Sequence, residues 1–285
     1  MLPLFALCTA AAPDMSFCTV SSRTWGSKKF EQYEGEVAVG TKIYFAPLVQ
    51  DVVGVLDTET SAFSSIEAHM EPMGLSCPCR YMGAEAVGTL VFFGPHNEDN
   101  VGVLDITTST FSKIDTAVAG VVGDRKYSGA VSVGDKVYFT PFRQDNIGVL
   151  DTTNSTFSTI NITVNDTQKY YGAAAVGTTV VFPPHNQHNV GVLETTTGQF
   201  STIPIDIDPY GIGVFFGGLS KYAGAAALGT KVYMAPYNAD DGPRERFEPT
   251  AWSCDSRCWP LHRDAAQWAC SMLRRRPFPP SAPSA

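Results

Sequence analysis

The chain contains no run of eighteen consecutive apolar residues, which excludes a membrane-spanning helix. It also lacks positive charge: 20 Lys and Arg stand against 28 Asp and Glu, giving a net charge of -8. Duplexes and single strands need a basic surface, so nucleic acid is excluded as a partner. No Ser-His-Asp order, HExxH pair, Walker loop or glycine-rich dinucleotide fingerprint is present, and no catalytic residue can be named from a motif. The seven cysteines avoid the regular part of the chain, and Cys77 and Cys79 in "CPC" are too close for an easy disulfide. Cys254, Cys258, His262 and Cys270 have a spacing that matches no common zinc site. The opening "MLPLFALCTAAAPD" has a short apolar run but no basic n-region, which makes a poor secretory signal. The compartment stays open: the chain reads as soluble, either secreted or cytoplasmic. Three glycosylation sequons, at Asn154, Asn161 and Asn165, lean slightly toward secretion.

What the chain does contain is repetition. Five copies of one pattern begin at Tyr33, Tyr81, Tyr127, Tyr170 and Tyr222, spaced by 48, 46, 43 and 52 residues. Two residues after each tyrosine stands a glycine, seven after it a second glycine, and fourteen after it a proline. The first four copies continue through a "VGVL" or "IGVL" segment, an acid (Asp57, Asp105, Asp151, Glu194) and a phenylalanine (Phe63, Phe111, Phe157, Phe200). The fifth breaks off where "NVGVL" is due. A period of this length is the signature of a repeat architecture.

Each copy reads as four short strands in an antiparallel meander. "VGDK" and "VGTK" supply the glycine a tight hairpin needs, and the acid of "DTTNST" is placed to accept from the backbone two residues on. The proline ends pairing at the second strand. Such a sheet, apolar on both faces, is buried only by stacking against copies of itself, and radial stacking gives a β-propeller.

The segment "GAVSVGDKVYF...IGVLDTTNSTFSTI" resembles a kelch-type blade and also the YVTN-type propeller repeat, over about Phe17 to Asp241. It departs from kelch in carrying a proline where that family has a double glycine, and phenylalanine where it often has tryptophan. The resemblance implies an all-β propeller of four-stranded blades and leaves activity open.

Residues 1–16 read as a degenerate segment or partial strand, 17–241 as the propeller, and 242–285 as a poorly ordered Arg-, Pro- and Ser-rich tail. Phe17 precedes Tyr33 by the same sixteen residues that separate Phe111 from Tyr127. Phe17 to Val20 therefore reads as the orphaned fourth strand of the blade begun at Tyr222, with Phe17 beside Val232 and Tyr233. Five blades result, four complete and one split between the termini. The alternatives are a fragment of a six- or seven-bladed parent and a product with no independent activity.

The loops between second and third strands and those between blades share one face and carry the variable polar sequence, where binding usually resides. The expected role is a binding module presenting that face to a protein or glycan. A loop-face hydrolase or lactonase-like enzyme using His96, Glu98, His185 and His188 is the alternative. Candidate ligand contacts are Arg80, Lys126, Lys169 and Lys221, which precede the tyrosines and can ring an axial opening that attracts an anion. Further candidates are His96, Asp99, Arg143, Asp145, His185 and His188 in the two-to-three loops. No cofactor is expected. A divalent metal can be written only within one loop, on His185 with His188 or His96 with Asp99, because loops of different blades diverge.

Overall fold

The structure is a computed structural model that describes residues 7–12, 15–19, 32–70, 78–164, 167–205 and 220–237, the first two segments as backbone only. The tail at 242–285 and Asn165 lie outside the described residues.

Four four-stranded antiparallel sheets and two two-stranded ones make up the described fold, which is a β-propeller. Blade 1 comprises β3 (Tyr33–Val39), β4 (Lys42–Pro47), β5 (Val52–Asp57) and β6 (Ala62–Glu67). Blade 2 comprises β7 (Tyr81–Val87), β8 (Leu90–Pro95), β9 (Asn100–Asp105) and β10 (Thr110–Asp115). Blade 3 comprises β11 (Tyr127–Val133), β12 (Lys136–Pro141), β13 (Asn146–Asp151) and β14 (Thr156–Asn161). Blade 4 comprises β15 (Ala174–Val176), β16 (Thr179–Phe182), β17 (Asn189–Glu194) and β18 (Gln199–Pro204). The fifth blade contributes β19 (Tyr222–Leu228) and β20 (Lys231–Pro236), and β1 (Leu7–Ala12) with β2 (Met15–Thr19) forms a separate hairpin.

The turn chemistry follows the sequence. Gly40, Gly88, Gly134, Gly177 and Gly229 take φ of 59° to 61° at the first hairpin of each blade, a conformation glycine adopts without steric cost. Asp105 Oδ1 accepts from Thr107 N at 2.8 Å and Asp151 Oδ1 from Thr153 N at 3.0 Å. Bonds of this kind, from Thr60 to Asp57, Thr107 to Asp105, Thr153 to Asp151 and Thr196 to Glu194, hold the four carboxyls below their ordinary range.

The earlier glycine of each copy has a different task. Tyr33 pairs with Pro47 but Glu36 with Phe45, so the innermost strand bulges by one residue at Gly35, where φ is +89°. A Cβ on Gly35 would lie 2.5 Å from Gly83 Cα; one on Gly83, 2.6 Å from Gly129 Cα; one on Gly129, 2.8 Å from Gly172 Cα; one on Gly172, 2.7 Å from Gly224 Cα. The innermost strands thus touch backbone to backbone, which only glycine permits. On Gly224 a Cβ meets nothing within 4 Å, so the series does not return to Gly35.

Inside each complete blade three rings pack around the "VGVL" glycine. In blade 2 Tyr81, Phe93 and Phe111 lie with centroids 6.0 to 6.2 Å apart. A Cβ on Gly102 would stand 2.7 Å from Phe111 Cζ and 3.1 Å from Tyr81 Cζ. Tyr81, Tyr127 and Tyr170 are fully buried, and each hydroxyl donates to the asparagine that opens the third strand (Asn100, Asn146, Asn189).

One expectation needs correction. Phe17 does not pair with β20 among the described residues: β2 pairs with β1, with Phe17 opposite Thr9, and the partner of β20 is β19. β1 and β2 form their own two-stranded hairpin. No ladder joins it to β20 among the described residues. Cys79 is disulfide-bonded, to a cysteine whose side chain is outside the described residues.

Candidate functional site

Two residues of each copy sew the loop face together. The residue before each tyrosine and the residue after each proline alternate in a backbone relay across five blades. Leu48 N donates to Gln32 O, Arg80 N to Leu48 O, His96 N to Arg80 O, Lys126 N to His96 O and Phe142 N to Lys126 O. Lys169 N then donates to Phe142 O, His185 N to Lys169 O, Lys221 N to His185 O and Tyr237 N to Lys221 O. The post-proline side chains Leu48, His96, Phe142 and His185 are thereby gathered around the axis.

The cations lie under this relay. Arg80, Lys126, Lys169 and Lys221 are 2%, 0%, 1% and 6% exposed, so they are interior groups and not an open ring of charge. Three bind acids on the preceding blade, Arg80 with Asp51 at 3.1 Å, Lys126 with Asp99 at 2.9 Å and Lys169 with Asp145 at 2.8 Å, and Arg80 also binds Glu98 of its own blade. Lys221 Nζ donates to Asn186 O at 3.0 Å, and His188 holds the place of the acid in that loop. Burial lowers the Lys126 ammonium while Asp99 raises it back in part. The cations before the tyrosines and the loop acids Asp51, Asp99 and Asp145 thus form interblade ion pairs. Arg143 is exposed and pairs with Asp124 at 3.0 Å.

The two-to-three loops bring His96 and His185 to the axis, 4% and 8% exposed. Phe142 stands between them, 5.6 Å from the His96 ring and 5.7 Å from the His185 ring. Tyr171 completes the group, edge-on to Phe142 at 6.1 Å and 5.3 Å from His185, and also packs on Leu48, Val49 and Met82. His96 Nδ1 lies 2.7 Å from Tyr127 O and His185 Nδ1 lies 3.1 Å from Tyr222 O. A carbonyl can only accept, so Nδ1 carries the proton in both rings and Nε2 presents a lone pair. Burial holds the His96 imidazole down to about 4, helped by Arg125 and Lys126, and lowers His185 in the same direction. Both rings are neutral acceptors at physiological pH.

Not every candidate joins this group. Glu98 is tied to Arg80 and accepts from Asn100 at 3.3 Å, and His188 is exposed. No three or more His, Cys, Asp or Glu lie together as a possible metal set among the described residues. An open cleft of about 380 Å³ lies away from the axis, between blade 2 and the β13–β14 turn, lined by Phe92, Val103, Thr108 and Ser155 among others. Its titratable member, Asp105, is already spent on capping its own turn, so the cleft has no group left for chemistry.

No family model and no curated protein sequence matches the chain. Solved structures do. A streptogramin B lyase superposes with a TM-score of 0.55 at 16% identity, covering 71% of this chain and 61% of that one. A catalytically inactive virginiamycin B lyase from Staphylococcus aureus, bound to quinupristin, gives 0.58 at 11%, covering 79% and 69%. A nidogen/laminin complex gives 0.52 at 14%, covering 72% of each chain. At such identities the likeness establishes the β-propeller class and no activity. The chain spans about three fifths of the length of the first two lyase structures it resembles, at 60% and 61%.

Proposed function

We propose that the chain is a recognition module: a rigid propeller that presents its loop face, centred on His96, Phe142, Tyr171 and His185, to a protein or glycan. The observation that carries this reading is the pair of nearly buried imidazoles with Nδ1 committed to backbone and Nε2 turned to acceptor duty. A few fixed polar atoms set among aromatic side chains are what a recognition site needs. The kelch or YVTN likeness adds nothing about the ligand. The enzymatic alternative loses support because Glu98, its acid, is bound by Arg80 and Asn100. Among the structural neighbours, one name denotes a lyase and another a protein complex, so both classes of activity occur on this fold.

The test compares two faces. The full chain is screened against arrays of proteins and glycans, and every hit is re-measured with Phe142→Ala and Arg143→Glu on the loop face and with Thr107→Ala and Thr153→Ala on the tight-turn face. Loss of binding in the first pair alone is the expected result. Loss confined to the second pair would overturn the reading.

A further inference from the structure

Strand β20 has a ladder on one side. It pairs with β19 and with no other strand among the described residues. In blades 1 to 4 the equivalent second strand is central, because the third strand lies along its other edge. The register there is constant: Phe45 stands opposite Gly54, Phe93 opposite Gly102, Phe139 opposite Gly148 and Phe182 opposite Gly191. Just before each second strand a turn carbonyl accepts from the first N–H beyond the third. Thr41 O accepts from Thr58 at 2.8 Å, Thr89 O from Ile106 at 3.0 Å, Asp135 O from Thr152 at 2.9 Å and Thr178 O from Thr195 at 2.9 Å. Antiparallel bonding recurs at every second residue, so in blade 3 Val137 and Phe139 turn their backbone groups to the third strand. Leu228 faces Lys231 as Val133 faces Lys136, and the same alternation points Thr230 O and the backbone groups of Val232 and Met234 outward.

This edge selects what can lie on it. A Cβ on Gly54, Gly102 or Gly148 would stand 2.7 to 2.9 Å from the fourth-strand phenylalanine and 3.0 to 3.1 Å from the ring of the opening tyrosine. Tyr222 sits opposite Pro236 as Tyr127 sits opposite Pro141, so the same packing holds the residue facing Met234 to glycine. Lys231 would face the acid that ends a third strand, as Lys42 faces Asp57 and Lys136 faces Asp151. Strand β1, LCTAAA, has no glycine, nor has the β20 of a second copy, KVYMAP. The glycine-bearing strands of a second copy, β5, β9, β13 and β17, are each paired on both sides within their own blades.

We propose that β20 is a docking edge for an extended segment of a partner protein that carries the third- and fourth-strand pattern: aliphatic, glycine, two aliphatics and an acid, then a tight turn and a phenylalanine. Added in this register, the donated hairpin gives β20 the second ladder that β12 has. In strand addition at a sheet edge, main-chain bonds supply affinity and side-chain pockets supply specificity. Val137, Tyr138 and Phe139 of β12 are 0%, 3% and 0% exposed, whereas Val232, Tyr233 and Met234 are only partly buried, so β20 still has apolar surface to cover. The site lies in the body of the fifth blade and is independent of the loop-face reading.

The experiment titrates the full chain with a fluorescent peptide copied from Asn146 to Ile160, NIGVLDTTNSTFSTI, and reads anisotropy. Saturable binding is the expected result, weakened at least tenfold when the peptide carries Gly148→Val and at least tenfold when the chain carries Val232→Pro. That proline removes an outward N–H and spares the bonds to β19, with melting temperature as the check on folding. Should the variant fold poorly, hydrogen exchange on the unaltered chain puts the same question: the Val232 and Met234 amides exchange freely alone and become protected when the peptide is added. No saturable binding, or binding indifferent to either substitution, would overturn the proposal. So would Val232 and Met234 amides already protected in the chain alone. Protection that grows with protein concentration would assign the edge to a second copy instead, and protection independent of concentration to another segment of the same chain.

Discussion

Blades 2 to 4 and the two-stranded fifth blade are written in nearly the same residues and reach different states. In β12, five of six residues are buried, whereas the equivalent β20 buries none completely. Tyr127 is 0% exposed while Tyr33 and Tyr222 are half-buried, and Leu228 is 73% exposed. The repeat therefore encodes a shape that becomes stable only with a neighbour on each face. In such an array stability is a sum of nearest-neighbour interfaces.

The sharpest way to break the comparison is to add one methyl group at two equivalent glycines. Gly83→Ala drives a Cβ to 2.6 Å from Gly129 backbone at a φ of +87°, whereas Gly224→Ala meets no atom within 4 Å. The first should cost about 3 kcal/mol or more and the second about 1 kcal/mol, from the positive φ alone. Equal losses in chemical denaturation would remove the glycine contact as the seam between blades.

A second effect, nearly as large, depends on pH. His96 is neutral in the fold down to about 4, against an ordinary value near 6.5, in surroundings that include Arg125, Lys126 and Asp124. Because its folded pKa is depressed, the unfolded chain takes up a proton first. Stability should therefore fall as pH drops from about 6.5 toward 4, by about 3 kcal/mol at most. The slope should shrink in His96→Phe. An unchanged slope in that variant would show that the ring is not the group responsible.

A smaller effect separates blade 3 from blade 1. The Tyr127 hydroxyl donates to Asn146, but Val52 stands where blade 1 would need that asparagine. Tyr127→Phe leaves a half-buried acceptor without its partner and should cost about 1 kcal/mol. Tyr33→Phe should cost less than about 0.5 kcal/mol on the same account. Burial nonetheless pushes the Tyr33 hydroxyl up to about 12.

These contrasts also show what a sequence can carry. The blades, their hairpins and the capping acids were legible because each depends on residues a few positions apart. The glycine two after each tyrosine was visible as a repeat marker, but its purpose was not, because the atom it must avoid belongs to the next blade. The pairing of these cations with loop acids was hidden for the same reason: Arg80 meets Asp51 across 29 residues and Lys126 meets Asp99 across 27. Their constant order, an acid in one copy and a cation opening the next, was the available signal. His96 and His185 stood out by residue type. Phe142 and Tyr171 did not, since an aromatic in a repeat reads as core until its neighbours are known.

The central claim, that each blade is held by its neighbours and not by its own sequence, is tested most directly by native-state hydrogen exchange. Amides of β11 and β12, with a blade on either side, should open only with global unfolding. Those of β19 and β20 should exchange at least a hundredfold faster. Equal protection in the two hairpins would contradict the account.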